Sequence, residues 1–309
     1  MSGPRFVPGR RSRSEGLRNQ PDVDRELTSR SHPYVGRVAS LATRHDKLPL
    51  IAPVMHERLG LRVVSTDVDT DSLGTFTAEV PRLESPLSTA VTKARLGMRA
   101  AGLSLGLANE GSFGPLDDVP FVIADTEVVV LVDDDFGIEI AEAFVEIDPP
   151  AVGVDVGEVD VDSIPLARAG FPGNALIVRP SDGILPVFKG IRDPDHLRFA
   201  IEACIAASTT GQARVESDFR AHQHRQRRLV ISRAAQRLAE RLATLCPECC
   251  APGWGEVERI GGAPCSECGE PTRLAKAERL ACARCDLERI NTLPAADGVD
   301  PGCCSSCNP

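Results

Sequence analysis

Ten of the eleven cysteines in this chain of 309 residues fall between Cys246 and Cys307. Eight of them form four Cys-x-x-Cys pairs: Cys246 with Cys249, Cys265 with Cys268, Cys282 with Cys285, and Cys304 with Cys307. Two thiolates at the tip of a tight turn grip one ion, and two such pairs complete a tetrahedral sulfur shell of the kind that suits zinc. Eight thiolates therefore specify two ions. A segment as short as residues 246–309 has too little apolar core to hold itself together, so metal binding must supply much of its folding free energy. Four thiolates close the coordination shell and leave no position for water, which makes the expected zinc structural and not catalytic.

Fifteen residues separate the first two pairs and eighteen the last two. Both intervals match a zinc ribbon with sequential pairing, first with second and third with fourth. Spacing leaves two alternatives open: a nested arrangement, with Cys265 and Cys268 sharing an ion with Cys282 and Cys285, and a cross-braced one. Cys250 and Cys303 are surplus neighbours, and Cys304 is preferred to Cys303 only because it completes Cys-x-x-Cys. A disulfide framework competes as a reading, but a reducing cytosol disfavours it. Cys204 stands apart in an apolar helical pattern and reads as a buried, inert thiol.

The remainder of the chain is of ordinary globular composition, 42% apolar and 26% charged. A net charge of -9 argues against a molecule that binds nucleic acid or a membrane surface with its whole face. No apolar run approaches the roughly 18 residues of a membrane span, and the N-terminus lacks an apolar signal region. A cytoplasmic protein without a membrane partner is expected. Residues 1–30 hold seven arginines among Pro, Gly and Ser; such a stretch buries too little to offset its ordering entropy and reads as a disordered tail.

Residues 34–245 alternate strand and helix signals. Strands are expected at 34–43, 61–65, 103–108, 121–124, 127–132, 138–147, 175–178 and 185–189. Helices are expected at 48–59, from Ser85-Pro86 to Gly102, at 164–169, from Asp193 to 207, and at 225–245. The glycine-rich stretch Asn109 to Pro115 reads as a loop and Asp133 to Gly137 as a hairpin turn. In the last helix, Leu229, Leu238, Leu242 and Leu245 oppose Arg233, Arg237 and Arg241, while His222 and His224 are placed on a solvated helix start. The expected fold class is α/β, or α+β: a mixed-sheet domain with flanking helices, followed by the zinc-ribbon module at 246–309.

Three segments concentrate polar residues at strand ends: Thr43-Arg44-His45-Asp46-Lys47; Gly74 to Glu79 together with Lys93; and Glu110-Gly111-Ser112-Phe113-Gly114. Carboxylates beside lysines at such positions suit a hydrated Mg2+ and a polyphosphate, because the ion needs acidic oxygens and the phosphates need cations. Helix caps and turn residues account for the same residues equally well. Asp67, Asp69 and Asp71 resemble the opening of a calcium loop, but Ser72 replaces its glycine and Ala78 its closing glutamate, so that reading is rejected.

Thr43 to Lys47, Gly74-Thr75-Phe76, Glu110 to Pro115, Glu216-Ser217-Asp218-Phe219-Arg220 and the closing Asp300 to Pro309 resemble a bacterial domain-of-unknown-function family with a C-terminal zinc ribbon. That resemblance covers nearly everything from about residue 36 and brings no established activity. Over residues 36–147 the order of strand, Thr-x-x-x-Lys, helix, strand, Lys-Ala helix and acidic Gly/Ser loop is more distantly similar to the inosine and xanthosine triphosphate pyrophosphatases, which cleave non-standard nucleotides with Mg2+. The resemblance implies phosphate contacts from Thr43, Lys47 and Lys93 with Ser112 nearby, and a metal-binding acid at Glu110. Arg44 and His45 stand where those enzymes usually carry asparagine. Ser88 replaces an acidic residue before the lysine, a role that Glu79 or Glu84 would have to fill.

Two functional expectations follow. One is a Mg2+-dependent hydrolase or binding domain for a nucleotide or another phosphorylated small molecule, with Glu79 and Glu110 as its acids. The other is a non-catalytic adaptor whose zinc module and basic helix bind protein or nucleic acid. Trp254 is the chain's single tryptophan, which leaves little for base stacking.

Overall fold

A computed structural model describes residues 31–43, 46–68, 85–116, 119–157, 159 and 161–309. The Arg-rich tail, Arg44, His45, the stretch from Asp69 through Gly74-Thr75-Phe76, and Glu79 and Glu84 lie outside these residues.

The first sheet has the order β2-β1-β3-β4-β5. Strand β1 (Val38–Ala42) runs parallel to β2 (Arg62–Thr66) and to β3 (Leu105–Leu116), while β4 (Val119–Asp133) and β5 (Ile138–Ile147) continue antiparallel. The sheet is thus mixed, as the alternation of elements predicts. Helix α1 (Leu48–Leu59) buries Ile51, Met55 and Leu59 at helical spacing. Helix α2 (Pro86–Ala101) starts on Ser85, whose hydroxyl accepts from the Ser88 N–H at 3.2 Å. Parallel strands need crossovers, and these two helices supply them: α1 packs on one face of the sheet and Ala90, Ala94 and Met98 of α2 pack on the other, against Ala108, Val130 and Val132.

A second, antiparallel sheet has the order β6-β9-β7-β8, built from β6 (Gly153–Val156), β7 (Leu176–Pro180), β8 (Phe188–Ile191) and β9 (Ala213–Ser217). It has a core of its own with the short helix α3 (Leu166–Ala169) and with α4 (Pro194–Ala207), whose cap Asp193 accepts from the Asp195 and His196 N–H groups. Cys204 is buried there, and burial pushes its thiol up to about 11, in keeping with an inert role. The chain then returns to the first sheet through α5 (Arg225–Ala243), which lies beside α1 over β4 and β5.

Several sequence expectations change. Asn109 to Pro115 is not a loop: it continues β3, because its polar side chains find buried partners and Gly111 serves a close approach instead of a turn. The strands expected at 121–124 and 127–132 are one element, and β6 and β9 are elements that the apolar pattern did not reveal. Leu229 is exposed; the buried face of α5 is Val230, Ile231, Ala234, Ala235, Leu238, Ala239 and Leu242. No helix among the described residues is long and apolar enough to cross a membrane.

The C-terminal module is a three-stranded antiparallel ribbon, β10 (Gly255–Gly261), β11 (Ala275–Ala281) and β12 (Glu288–Thr292). A seven-residue strand reaches roughly 20 Å, so the ribbon has two well-separated ends.

Candidate functional site

The ribbon decides how the cysteines pair. Cys246 and Cys249 precede β10, Cys265 and Cys268 follow it, Cys282 and Cys285 follow β11, and Cys304 and Cys307 come after β12. Each antiparallel strand carries the chain to the opposite end, so alternate pairs meet. Cys246, Cys249, Cys282 and Cys285 form one tetrad, and Cys265, Cys268, Cys304 and Cys307 the other. The sequential pairing favoured by spacing is therefore replaced by the cross-braced one, because the strand between two pairs holds them apart. Cys303 and Cys250 are outside both tetrads.

Within each tetrad the sulfurs approach to 3.7 and 3.6 Å in the first and 3.9 and 3.7 Å in the second. A disulfide would need about 2.0 Å, whereas sulfurs about 2.3 Å from a central ion are roughly 3.8 Å apart across a tetrahedron edge. The residues fit a metal ion in each tetrad. The carbonyls of Cys246, Cys265 and Cys304 each close a tight turn; Gly269 N–H, for example, donates to the Cys265 carbonyl at 2.9 Å. Backbone N–H groups of Cys307 and Ser306 pull the Cys304 thiol down to about 7. At Cys246 burial pushes upward, but the N–H groups of Cys249 and Glu248 prevail and the thiol again falls to about 7.

A second constellation lies beyond the end of β1. Lys47, just before α1, is buried, and its Nζ donates to the Asn109 carbonyl at 3.1 Å. On the α2 face of β3, Lys93 Nζ meets Glu110 Oε2 at 2.6 Å, both side chains buried. On the opposite face Asn109 Nδ2 donates to Glu127 Oε2 at 2.9 Å, and the fully buried Arg227 of α5 donates to Glu127 and to the Phe219 carbonyl. Gly111 makes room for this: a Cβ there would lie 2.3 Å from Glu127 Oε1. Lys47 is pushed down to about 8, first by burial and then by the charge of Arg227, while Glu127 and Glu110 oppose the shift and Lys93 adds to it. These five charged groups thus share one electrostatic neighbourhood.

Asp125, two residues along β4 from Glu127, is fully buried, and neither of its oxygens receives a hydrogen bond among the described residues. Burial, then the Glu127 charge, raises its carboxyl to about 8, against the pull of Arg227. As two carboxylates the pair has no hydrogen to share; with Asp125 protonated, its O–H donates to Glu127. His224 caps α5, its Nδ1 accepting from the Arg227 N–H at 3.2 Å and its Nε2 donating to the Pro150 carbonyl at 3.0 Å. Burial lowers its pKa. His224 is therefore a buried cap and not part of a solvated helix start. Beside it, Phe113 stacks on Phe219 with ring centroids 3.7 Å apart.

The model of a family described as Domain of unknown function (DUF6671) matches residues 93–309. The chain belongs to that family. No curated protein matches it. The DUF6671 match begins at Lys93 and takes in Glu110, Asp125, Glu127, Arg227 and all eight tetrad cysteines; Thr43 and Lys47 lie upstream of it.

Of the residues singled out in the sequence, Lys47, Lys93 and Glu110 come together in this DUF6671 protein. Thr43 directly follows β1, and Ser112 lies half-buried on β3. Glu79 falls outside the described residues. Asn109, Asp125, Glu127 and Arg227 were not anticipated. The signal available for them was an alternation of acids, Asp125 and Glu127, inside an otherwise β-branched strand. The arginine face of α5 is largely committed within the fold: Arg233 meets Glu146 at 3.1 Å, Arg237 donates to the Ala143 carbonyl at 2.8 Å, and Arg241 meets Glu142 at 3.0 Å.

Proposed function

We propose that this DUF6671 protein binds a phosphorylated small molecule, a nucleotide in the first instance, beyond the end of β1 and hydrolyses it with Mg2+, and that its C-terminal module carries two structural zinc ions. The observation that carries the reading is a buried cluster of charges on both faces of β3, Lys93 with Glu110 on one and Arg227 with Glu127 on the other, with Lys47 in electrostatic reach of all four. Buried cations held ready cost no reorganisation when anionic charge develops beside them. Lys47 and Lys93 neutralise phosphate oxygens, and Thr43 and Ser112 supply hydroxyl donors. Glu110 is a hard oxygen donor of the kind Mg2+ prefers, and Glu79 is the further acid of the proposal; the bound ion would supply charge neutralisation on the phosphoryl group. Burial and the Glu127 charge raise the Asp125 carboxyl within the same buried network.

The test is a panel of nucleoside triphosphates with Mg2+, read by phosphate release and thermal shift. A thermal shift that Lys93→Ala abolishes supports the site, and absence of both turnover and any shift counts against it. Lys47 adds an independent readout. A phosphate beside a lysine whose pKa is about 8 restores its charge, so binding near pH 8 is expected to take up protons, measurable by calorimetry in buffers of different ionisation enthalpy.

One observation favours an adaptor role of a particular kind. Strand β12 is an exposed edge of the ribbon, suited to pairing with an extended peptide. The segment 246–309 holds ten acidic and six basic side chains, which favours a protein over a nucleic acid as its partner. Retention on a nucleic-acid column at low salt, lost when Arg233, Arg237 and Arg241 are changed to Glu, would reverse that preference.

A further inference from the structure

We infer that the two thiolate tetrads have different roles: the first is a clamp that joins the C-terminal module to the α/β body, and the second holds an exchangeable ion on the outside. The inference rests on both tetrads being occupied by metal. Cys246 lies three residues beyond α5, and its tetrad shares an apolar cluster with Ala251, Trp254, Leu280 and Leu287 of the module and Phe136 of the β4–β5 turn.

The backbone at Gly253 presses against β5 so closely that a Cβ there would lie 1.9 Å from Ile140 Cδ1. Arg241 fastens the same spot, donating from Nε to the Gly253 carbonyl at 3.2 Å while its Nη1 holds the buried Glu142. The N–H groups of Gly253 and Trp254 both donate to the Thr244 carbonyl, each at 3.0 Å.

The second tetrad has none of this support among the described residues. Cys268 and Cys307 are exposed. The backbone hydrogen bonds around it stay inside the module: Cys265 N–H to the Glu270 carbonyl, Ser266 N–H to Val299, Val299 N–H to Pro264, and Asn308 N–H to Cys304. The shell around a metal controls access of solvent and competing ligands. A chelator can thus reach the second ion through Cys268 and Cys307. At the first it meets only the partly covered Cys249 and Cys285, in a module seated against Phe136, Ile140 and α5, the helix that carries Arg227 at its other end.

The full-length protein loaded with zinc tests this, with a chromogenic chelator to count released metal and Trp254, the only tryptophan, to report on the first tetrad. Two phases of one equivalent each are expected. The fast phase leaves Trp254 emission unchanged; the second, about tenfold slower or more, changes it. Cys307→Ser is expected to abolish the fast phase while one equivalent and the native emission remain. Release of both ions in a single phase, a Trp254 change during the fast phase, or a shifted emission in Cys307→Ser overturns the inference. Protein that purifies without metal overturns instead the reading that the tetrads are zinc sites, before any chelator is added.

Discussion

Gly111, Asp125 and Cys250 each show a backbone or side chain held in a condition its type does not favour. At Gly111 the Glu127 carboxylate occupies the space a side chain would need. Gly111→Ala is expected to cost about 1–3 kcal/mol, as overpacked cores do, read from urea unfolding. Asp125 is raised to about 8 from an ordinary 3.8, so the folded state keeps a proton that the unfolded chain releases. The associated stability is fully present below about pH 4 and is lost as pH rises toward 8. Asp125→Asn keeps a donor toward Glu127 but cannot ionise; it is expected to flatten that slope and to exceed the wild type by on the order of 2 kcal/mol above pH 8. Cys250 sits at φ 56, the left-handed conformation that Gly269 adopts at the equivalent position of the next pair. Cys250→Gly is expected to keep both metal equivalents and to match or exceed wild-type stability by up to about 1 kcal/mol. Glycine-rich spacing was visible in the sequence, but its purpose was not: the Glu127 carboxylate that makes Gly111 necessary belongs to the neighbouring strand.

At the scale of elements, α5 shows how far periodicity reads. Its length and helical character were legible from residues 225–245, yet the face assignment failed at Leu229 because the helix buries small residues, Ala234, Ala235 and Ala239, where it lies close to the sheet. Its arginines looked like a solvated or nucleic-acid-binding stripe. Instead they form a ladder along β4 and β5, from Arg227 on Glu127 to Arg233 on Glu146 and Arg241 on Glu142. Removing one member of a buried pair leaves the other charge uncompensated, so Arg227→Ala is expected to destabilise by about 3–5 kcal/mol. The double change of Arg227→Met with Glu127→Leu should recover most of that loss, measured by denaturant unfolding. Equal instability of the single and double variants would place Arg227's role elsewhere.

The whole molecule combines two sheets with separate cores and a ribbon that lacks a large core of its own. Complete metal removal is therefore expected to make residues 246–309 sensitive to limited proteolysis while the second sheet stays protected, read by mass spectrometry of the fragments. Survival of the C-terminal segment after thorough chelation would mean that apolar contacts hold it without metal. Unlike the cysteine module, the charged cluster beyond β1 draws on the start of α1, α2, β3, β4 and α5 together, elements that span most of the described chain.

The cysteine pairs, the alternation of strands and helices and the β4–β5 hairpin were legible in the residues alone, because thiolate spacing, capping residues and turn chemistry act over a few residues. Long-range packing settled which pairs form a tetrad, that Asn109 to Pro115 is strand, and that Asp125, Glu127 and Arg227 lie near Lys47, Lys93 and Glu110. Those outcomes depend on which strands become neighbours and where a helix returns to the sheet. Such proximity follows from chain topology and packing, and local residue preference does not contain it.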